Sequence, residues 1–373
     1  MAELLQDLIR GCFLGIAIGD ALGMPVETMT REQILRATGG KGVKNYLTPS
    51  QKRIKGTRKL PPGSTTDDTQ LTLAVAKSLV NKREFDLRDL ASVHVEELKA
   101  SGYGWGRTTT TSISEIAEWF RRGGDPTNDG QPTPGTRSPE DPAPDPQTGQ
   151  GCGNGVAMKI APLAIWHFSR LGPAYLEPFI TQTMNLGLMT HGDPRASFAA
   201  VAVGAALSGC LDANPNETRL YANEFRLALV RLIDLYVRAV EGRYLYFRPN
   251  TDTLKNRLQK AWSLLDRPDE LRSQVGTTCF ALESIPFSLA IFLRNPDDFE
   301  QAVLEAVNAG GDTDTNASIV GGLCGALLGE SGIPDRLLAG LRNRDLVTVY
   351  ADVFFDALTE DPENQTDLSI LLP

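Results

Sequence analysis

Along most of this chain, apolar residues return every three or four positions, the period of a helix with one face turned to a core. Leu4 to Leu22 is the clearest case. Leu8, Cys12, Gly15, Ala17 and Gly19 recur at that step, and their small size lets a second helix approach closely in a buried bundle. Thr69 to Val80 continues the pattern with Leu71, Leu73, Val75, Ala76 and Leu79. Helical periods also cover Leu87 to Lys99, Ser112 to Phe120, Val156 to Phe168, Tyr175 to Leu186, Arg195 to Leu211 and Glu217 to Glu241. They resume over Leu254 to Leu265, Cys279 to Leu293, Asp297 to Asn308 and Asn316 to Leu328. No strand alternation of useful length and no clear internal repeat appear. Residues 121–151 break the pattern: Pro126, Pro132, Pro134, Pro139, Pro142, Pro144 and Pro146 alternate with Gly, Asp, Ser and Thr. Proline at that density builds neither helix nor central strand. The stretch is expected to be a surface loop or mobile flap, because helical patterns of one kind flank it. The pattern thus predicts an all-α protein, one domain over residues 1–373.

Composition changes this picture little. Hydrophobic residues make up 41% and charged residues 22%, as in ordinary globular proteins. The net charge of −9 argues against a nucleic-acid or anionic-membrane partner. Lys52, Arg53, Lys55, Arg58 and Lys59 form a local basic patch, read as a solvated loop ahead of nucleic-acid contact, with proximity to an anionic substrate as a third reading. The five cysteines (Cys12, Cys152, Cys210, Cys279 and Cys324) are scattered and lack CxxC spacing, which excludes the usual zinc and disulfide frameworks. The N-terminus has no basic start and no cleavable apolar run, and the longer apolar runs are interrupted by Asp or Arg. A cytoplasmic location is the expectation.

Two acidic clusters carry the chemistry. Thr66-Asp67-Asp68 and Asp312-Thr313-Asp314-Thr315 each stand where a loop enters an apolar helix. Either alone reads as a helix start, with Thr capping and Asp complementing the dipole. Both together, each approached through glycine (Gly63; Gly310-Gly311), point to metal. If the fold unites them, four carboxylates and two or three hydroxyls supply hard oxygen ligands suited to Mg²⁺ or Mn²⁺, and to two ions better than one. Asp20, amid apolar neighbours, reads as a structural carboxylate tying backbone N–H groups. Glu27 falls on a loop after a Gly- and Pro-containing turn, where a lone Glu is usually solvated. Gly153-Asn154-Gly155 opens a helix and could cradle a phosphate on backbone donors. His191 reads as structural rather than catalytic on its own, as do His94 and His167.

Taken in order, these segments resemble the ADP-ribosylglycohydrolase family, the dinitrogenase reductase-activating glycohydrolase and ADP-ribosylhydrolase proteins. The matching stretches are Gly11 to Gly15, Gly19-Asp20-Ala21-Leu22-Gly23 to Glu27, Thr65 to Thr69, Gly102 to Gly106, Gly153 to Met158, Thr190 to Ala196, and Gly310 to Thr315. The resemblance implies a single compact orthogonal multi-helix domain with a binuclear Mg²⁺ or Mn²⁺ centre in a central cleft. It implies that Thr66, Asp67 and Asp68 bind metal from one side, and Asp312, Asp314 and Thr315 from the other. Glu27 aligns with an acidic residue that some members place at the metals, as acid or base or as a ligand. Gly104, Gly106, Gly153, Asn154 and Gly155 align with segments that hold ADP-ribose, and His191 with a histidine lining that cleft. Arginine-directed members carry an acidic residue in the segment matching Gly102 to Gly106, whereas this chain has no carboxylate between Ser101 and Ser114. The form here is closer to members that cleave O-linked ADP-ribose. The expected activity is metal-dependent hydrolysis at the anomeric carbon of ADP-ribose, on an ADP-ribosylated protein or a small conjugate. The alternative is a non-catalytic ADP-ribose-binding or structural relative, against which the intact ligand positions speak. A two-metal phosphoesterase would bring histidine into the clusters, and neither has one.

Overall fold

The computed structural model of the chain describes residues 2–48, 60–101, 104–124, 151–213, 221–244 and 252–360. The basic patch at 52–59, Gly102, residues 125–150 of the Pro-rich loop and residues 217–220 of one expected helix lie outside them. Among the described residues the chain is helical and forms no strand. In order, the helices are α1 (Ala2–Gly23), α2 (Arg31–Ala37), α3 (Asp67–Lys82), α4 (Leu87–Ala100), α5 (Arg107–Arg121), α6 (Ala161–Leu171), α7 (Leu176–Leu188) and α8 (Pro194–Asp212). They continue as α9 (Ala222–Tyr244), α10 (Leu254–Trp262), α11 (Pro268–Val275), α12 (Ala281–Arg294), α13 (Phe299–Val307), α14 (Thr313–Leu328), α15 (Asp335–Gly340) and α16 (Arg344–Thr359).

Each segment with a helical period overlaps one of these helices, so the all-α expectation holds. Four helices lacked a sequence expectation. α2 buries only Ile34 and is set by a capping box between Thr30 and Gln33 rather than by an apolar stripe. α11 buries only Leu271 and Val275, and α15 only Leu337 and Leu338, too little to register as a period. α16 does carry one, with Val347, Tyr350, Ala351 and Phe354 buried on one face.

The centre of the molecule is an antiparallel pair, α1 against α14, in which backbone touches backbone. A Cβ on Gly11 would lie 2.4 Å from the Gly325 carbonyl oxygen, on Gly15 2.0 Å from that of Gly321, and on Gly19 2.1 Å from that of Ala317. At Gly23 it would meet Asp314 N at 2.4 Å. Glycine at every fourth position leaves a groove along α1 into which α14 sinks. Around this pair, α3 and α16 pack on one side; α13, α12 and α8 pack against α14. The segments Ala2–Val26 and Pro194–Asp212 are long and apolar enough to cross a membrane, but 94% and 83% of their apolar windows are buried inside the protein.

Candidate metal centre

The α1–α14 ladder runs directly into the site. Its last rung, Gly23 against Asp314, puts the C-terminal end of α1 beside the first turn of α14. α3 begins beside the same end, held by Asp20. This buried carboxylate of α1 accepts from Thr66 N at 2.8 Å, Thr66 Oγ1 at 2.7 Å, Thr69 N at 3.2 Å and Thr69 Oγ1 at 2.6 Å. The sequence reading of Asp20 as a tie for backbone N–H groups is what the structure shows. The consequence for Thr66 is chemical. It occupies the N-cap position of α3 but makes no side-chain cap, because Asp20 has taken that role from another helix. With its hydrogen given to Asp20, the Thr66 hydroxyl keeps its lone pairs for a ligand.

The two acidic clusters meet across 247 residues of sequence, where Thr315 Oγ1 donates to Asp68 Oδ2 at 3.3 Å. Asp67 and Asp68 stand in the first turn of α3, and Asp314 and Thr315 in that of α14. Glu27 joins them. Met24–Val26 form one turn of 3-10 helix, and the chain is then pinned by Thr28 N to the Gly311 carbonyl at 2.7 Å and Gly311 N to the Met29 carbonyl at 2.9 Å. Thr28 takes φ +62°, a left-handed conformation costly for a β-branched residue. The result is that carboxylate oxygens of Glu27, Asp312 and Asp314 lie within 4.8 Å of one another.

Electrostatics show what this set lacks. Burial, reinforced by the charges of Asp20, Asp312 and Glu27, pushes the Asp67 carboxyl up to about 7. Burial and the neighbouring carboxylates raise Asp68 and Asp314 well above the usual range, and burial raises Asp312. Asp68 Oδ1 is buried without a hydrogen-bond partner among the described residues. A buried acceptor left unpaired, amid carboxylates that repel, is costly. An oxygen-seeking divalent cation removes both costs, so the acidic cluster fits a metal.

The remaining site residues form walls and supports. Asn154 Nδ2 donates to Asp312 Oδ2 at 2.6 Å and to Ser284 Oγ at 3.0 Å, so its side chain serves the carboxylate. Its backbone N–H goes to the Cys279 carbonyl at 3.0 Å, beside an isolated antiparallel bridge between Gly153 and Phe280. The phosphate-cradle expectation therefore narrows to the N–H groups of Gly153 and Gly155. His191 is buried beneath this turn, with Nε2 3.2 Å from where a Cβ of Gly153 or Gly155 would be. Its Nδ1 pairs with Thr190 Oγ1 at 2.8 Å, and burial lowers its pKa to about 3, so the ring is neutral. Gly104, with φ +84°, rests on the cluster: a Cβ there would be 2.9 Å from Thr66 Cβ and 3.0 Å from Asp67 Oδ1. At Gly106, the N-cap of α5, a Cβ would meet nothing within 4 Å among the described residues.

Sequence reasoning passed over Lys159. It is wholly buried, its Nζ has no hydrogen-bond partner among the described residues, and burial lowers its pKa to about 7 against the pull of Asp67. A charged residue between the apolar Met158 and Ile160 was the signal for it. The contact of Asn154 with Asp312 left no such signal, since it depends on how two distant loops pack.

A family model described as ADP-ribosylglycohydrolase matches residues 1–365. The chain is 26% identical to the ADP-ribosyl-[dinitrogen reductase] glycohydrolase of Rhodospirillum rubrum over 339 residues, 90% of this chain and 91% of that one. It is 27% identical to the ADP-ribosylhydrolase ARH3 of Mus musculus over 350 residues, 87% of this chain and 85% of that one. A solved structure titled ADP-ribosylglycohydrolase-related protein complex superposes with a TM-score of 0.66 at 25% identity, covering 96% of this chain and 100% of its own.

Proposed function

We propose, from the premise that this chain belongs to the ADP-ribosylglycohydrolase family and is a glycohydrolase, that it cleaves O-linked ADP-ribose at the anomeric carbon and does so faster than it cleaves arginine-linked ADP-ribose. The observation that carries the preference is Gly104. Its positive φ and its contact with Thr66 and Asp67 leave no room for a side chain, so no carboxylate can stand at that point of the wall. An arginine-linked substrate leaves as a guanidinium, which stays charged near neutral pH. Without an acidic partner its desolvation in the cleft is poorly compensated. A serine hydroxyl or an acetyl ester makes no such demand.

In this reading Thr66, Asp67 and Asp68 of α3 and Asp312, Asp314 and Thr315 of α14 hold two Mg²⁺ or Mn²⁺ ions. When bound, these supply positive charge that fixes the vicinal ribose hydroxyls and polarises water. The chain does the rest. Asp20 keeps Thr66 oriented, and Asn154 keeps Asp312 oriented. The Gly153 and Gly155 N–H groups receive the pyrophosphate, over a neutral His191 that adds no charge. Carboxylates of the cluster stabilise the oxocarbenium character of the breaking bond. Glu27, the half-buried carboxylate on the pinned loop, transfers the proton between water and the leaving oxygen. The substrate is an ADP-ribosylated protein or a small conjugate rather than a nucleic acid. The five free cysteines accord with a reducing compartment such as the cytoplasm.

The test is a panel of serine-linked, acetyl-linked and arginine-linked ADP-ribose with Mg²⁺, following free ADP-ribose. A higher kcat/KM for an O-linked substrate is expected. Preference for arginine would overturn the specificity, and release from none of the three would overturn the glycohydrolase reading.

A further inference from the structure

One side-chain oxygen outside the acidic cluster holds a wall of the site in place. Gln70 lies on α3 one turn past Thr66, its backbone N–H donating to the Thr66 carbonyl at 3.1 Å. Its Oε1 accepts from Ser101 Oγ at 3.1 Å and from Trp105 Nε1 at 3.1 Å. Ser101 closes α4 as its C-cap, and Trp105 precedes α5. Both ends of the connection between these helices are therefore fastened to one atom of the helix that carries Thr66, Asp67 and Asp68. Trp105 is 8% exposed, so its indole is part of the packed interior, while Gly104 beside it is exposed against Thr66 and Asp67. A side-chain amide accepting two bonds has only limited freedom to rotate, and each bond fixes the other.

We propose that Gln70 is a positioning residue for the cleft: through Ser101 and Trp105 it fixes Gly104 against Asp67, and so sets the wall that the leaving group meets. The proposal rests on the reading of Asp67 as part of the hydrolytic site. Gln70 touches no substrate in it. Its amide carbonyl fixes the height of the wall, and a loosened wall weakens substrate binding without altering the groups that break the bond. The effect belongs in KM rather than in kcat, and the metal-binding oxygens are untouched.

The experiment compares Gln70→Leu, which keeps volume and removes the acceptor, with Trp105→Phe, which removes the indole donor, and with the double variant. Ser101→Ala, at an exposed position, is the milder fourth variant. Three readings are taken: the kinetics (kcat and KM) on a serine-linked ADP-ribose peptide, the affinity for Mg²⁺ alone, and hydrogen–deuterium exchange of the peptide spanning residues 101–106 in the metal-free protein. A neutral hydrogen bond contributes enough for each single variant to raise KM by about threefold to tenfold. kcat and Mg²⁺ affinity are expected to stay within about twofold. The double variant is expected to be no worse than Gln70→Leu alone, because that variant already breaks the contact that Trp105→Phe removes. Faster exchange over residues 101–106 is expected in each. Unchanged exchange and unchanged KM in Gln70→Leu would overturn the proposal, as would additive losses in the double variant. A fall in kcat with Mg²⁺ affinity would assign Gln70 to the metal cluster and overturn it too. Should Gln70→Leu not fold, Trp105→Phe and Ser101→Ala decide by the same three readings. A wild type that turns over no substrate defeats the functional reading, while the exchange data still judge the clamp.

Discussion

Gly19→Ala adds one methyl group where two helix backbones touch, and its consequences can be worked out from the α1–α14 contact. The new Cβ would lie 2.1 Å from the carbonyl oxygen of Ala317, 2.3 Å from its carbonyl carbon and 2.5 Å from Ser318 N. Ordinary contact begins at 3.4 Å, so the helices must part locally by about 1.3 Å. No flexible side chain is there to yield. Overpacking a core costs about 1–3 kcal/mol, and a rigid backbone neighbour puts this case at the upper end. Alanine recovers about 1 kcal/mol of helix propensity. The expected net loss is about 2 kcal/mol in urea unfolding of the metal-free protein. The damage should not stop at stability. Asp20 follows Gly19 and orients Thr66, while Asp314 and Thr315 lie less than one turn before Ala317. Parting the helices therefore separates the two halves of the acidic cluster, and Mn²⁺ affinity by calorimetry should fall at least about tenfold, the equivalent of 1.4 kcal/mol. Gly242→Ala is the matched control. It sits exposed in α9 with nothing among the described residues within 4 Å of its Cβ position, and is expected to be neutral or up to about 1 kcal/mol more stable. Wild-type stability and wild-type metal affinity in Gly19→Ala would refute the idea that backbone contact at this rung sets the spacing of the cluster.

Three further outcomes are expected. Asp312→Ala, Asp67→Ala or excess EDTA should abolish release of ADP-ribose, and calorimetry on either variant should show lost metal binding; full turnover in EDTA would contradict the metal reading. Glu27→Gln should lower kcat by about two to four powers of ten with ADP-ribose binding largely kept, and a near wild-type rate would reduce Glu27 to a loop residue. For pH, the Asp67 carboxyl is raised in the fold from 3.8 to about 7, so ionising it opposes folding: the penalty is absent below about pH 4, grows as pH rises to about 7, and is constant beyond. His191 and Lys159, whose values burial lowers, act in the opposite sense, so the comparison is with Asp67→Asn: between pH 5 and pH 8 the metal-free protein should lose urea stability relative to that variant, and an identical pH dependence in the two would contradict it.

The sequence by itself determined most of the helices and nominated the two acidic helix starts. Periodicity at three and four residues is local, and it survives whatever the tertiary arrangement. The small residues of α1 even announced a close helix contact, though not with which partner. Short α2, with its single buried Ile34, escaped because a capping box leaves no apolar stripe. Tertiary structure alone decided that Asp20 caps α3 from another helix and leaves the Thr66 hydroxyl to a ligand. It alone turned Asn154 towards Asp312, slid His191 beneath the Gly153–Gly155 turn, and set Gly104 against Asp67. The reason is range. A hydrogen bond or a charge acts over a few ångströms, and residues 46 or 247 positions apart come within that distance only after the backbones of α1 and α14 have met.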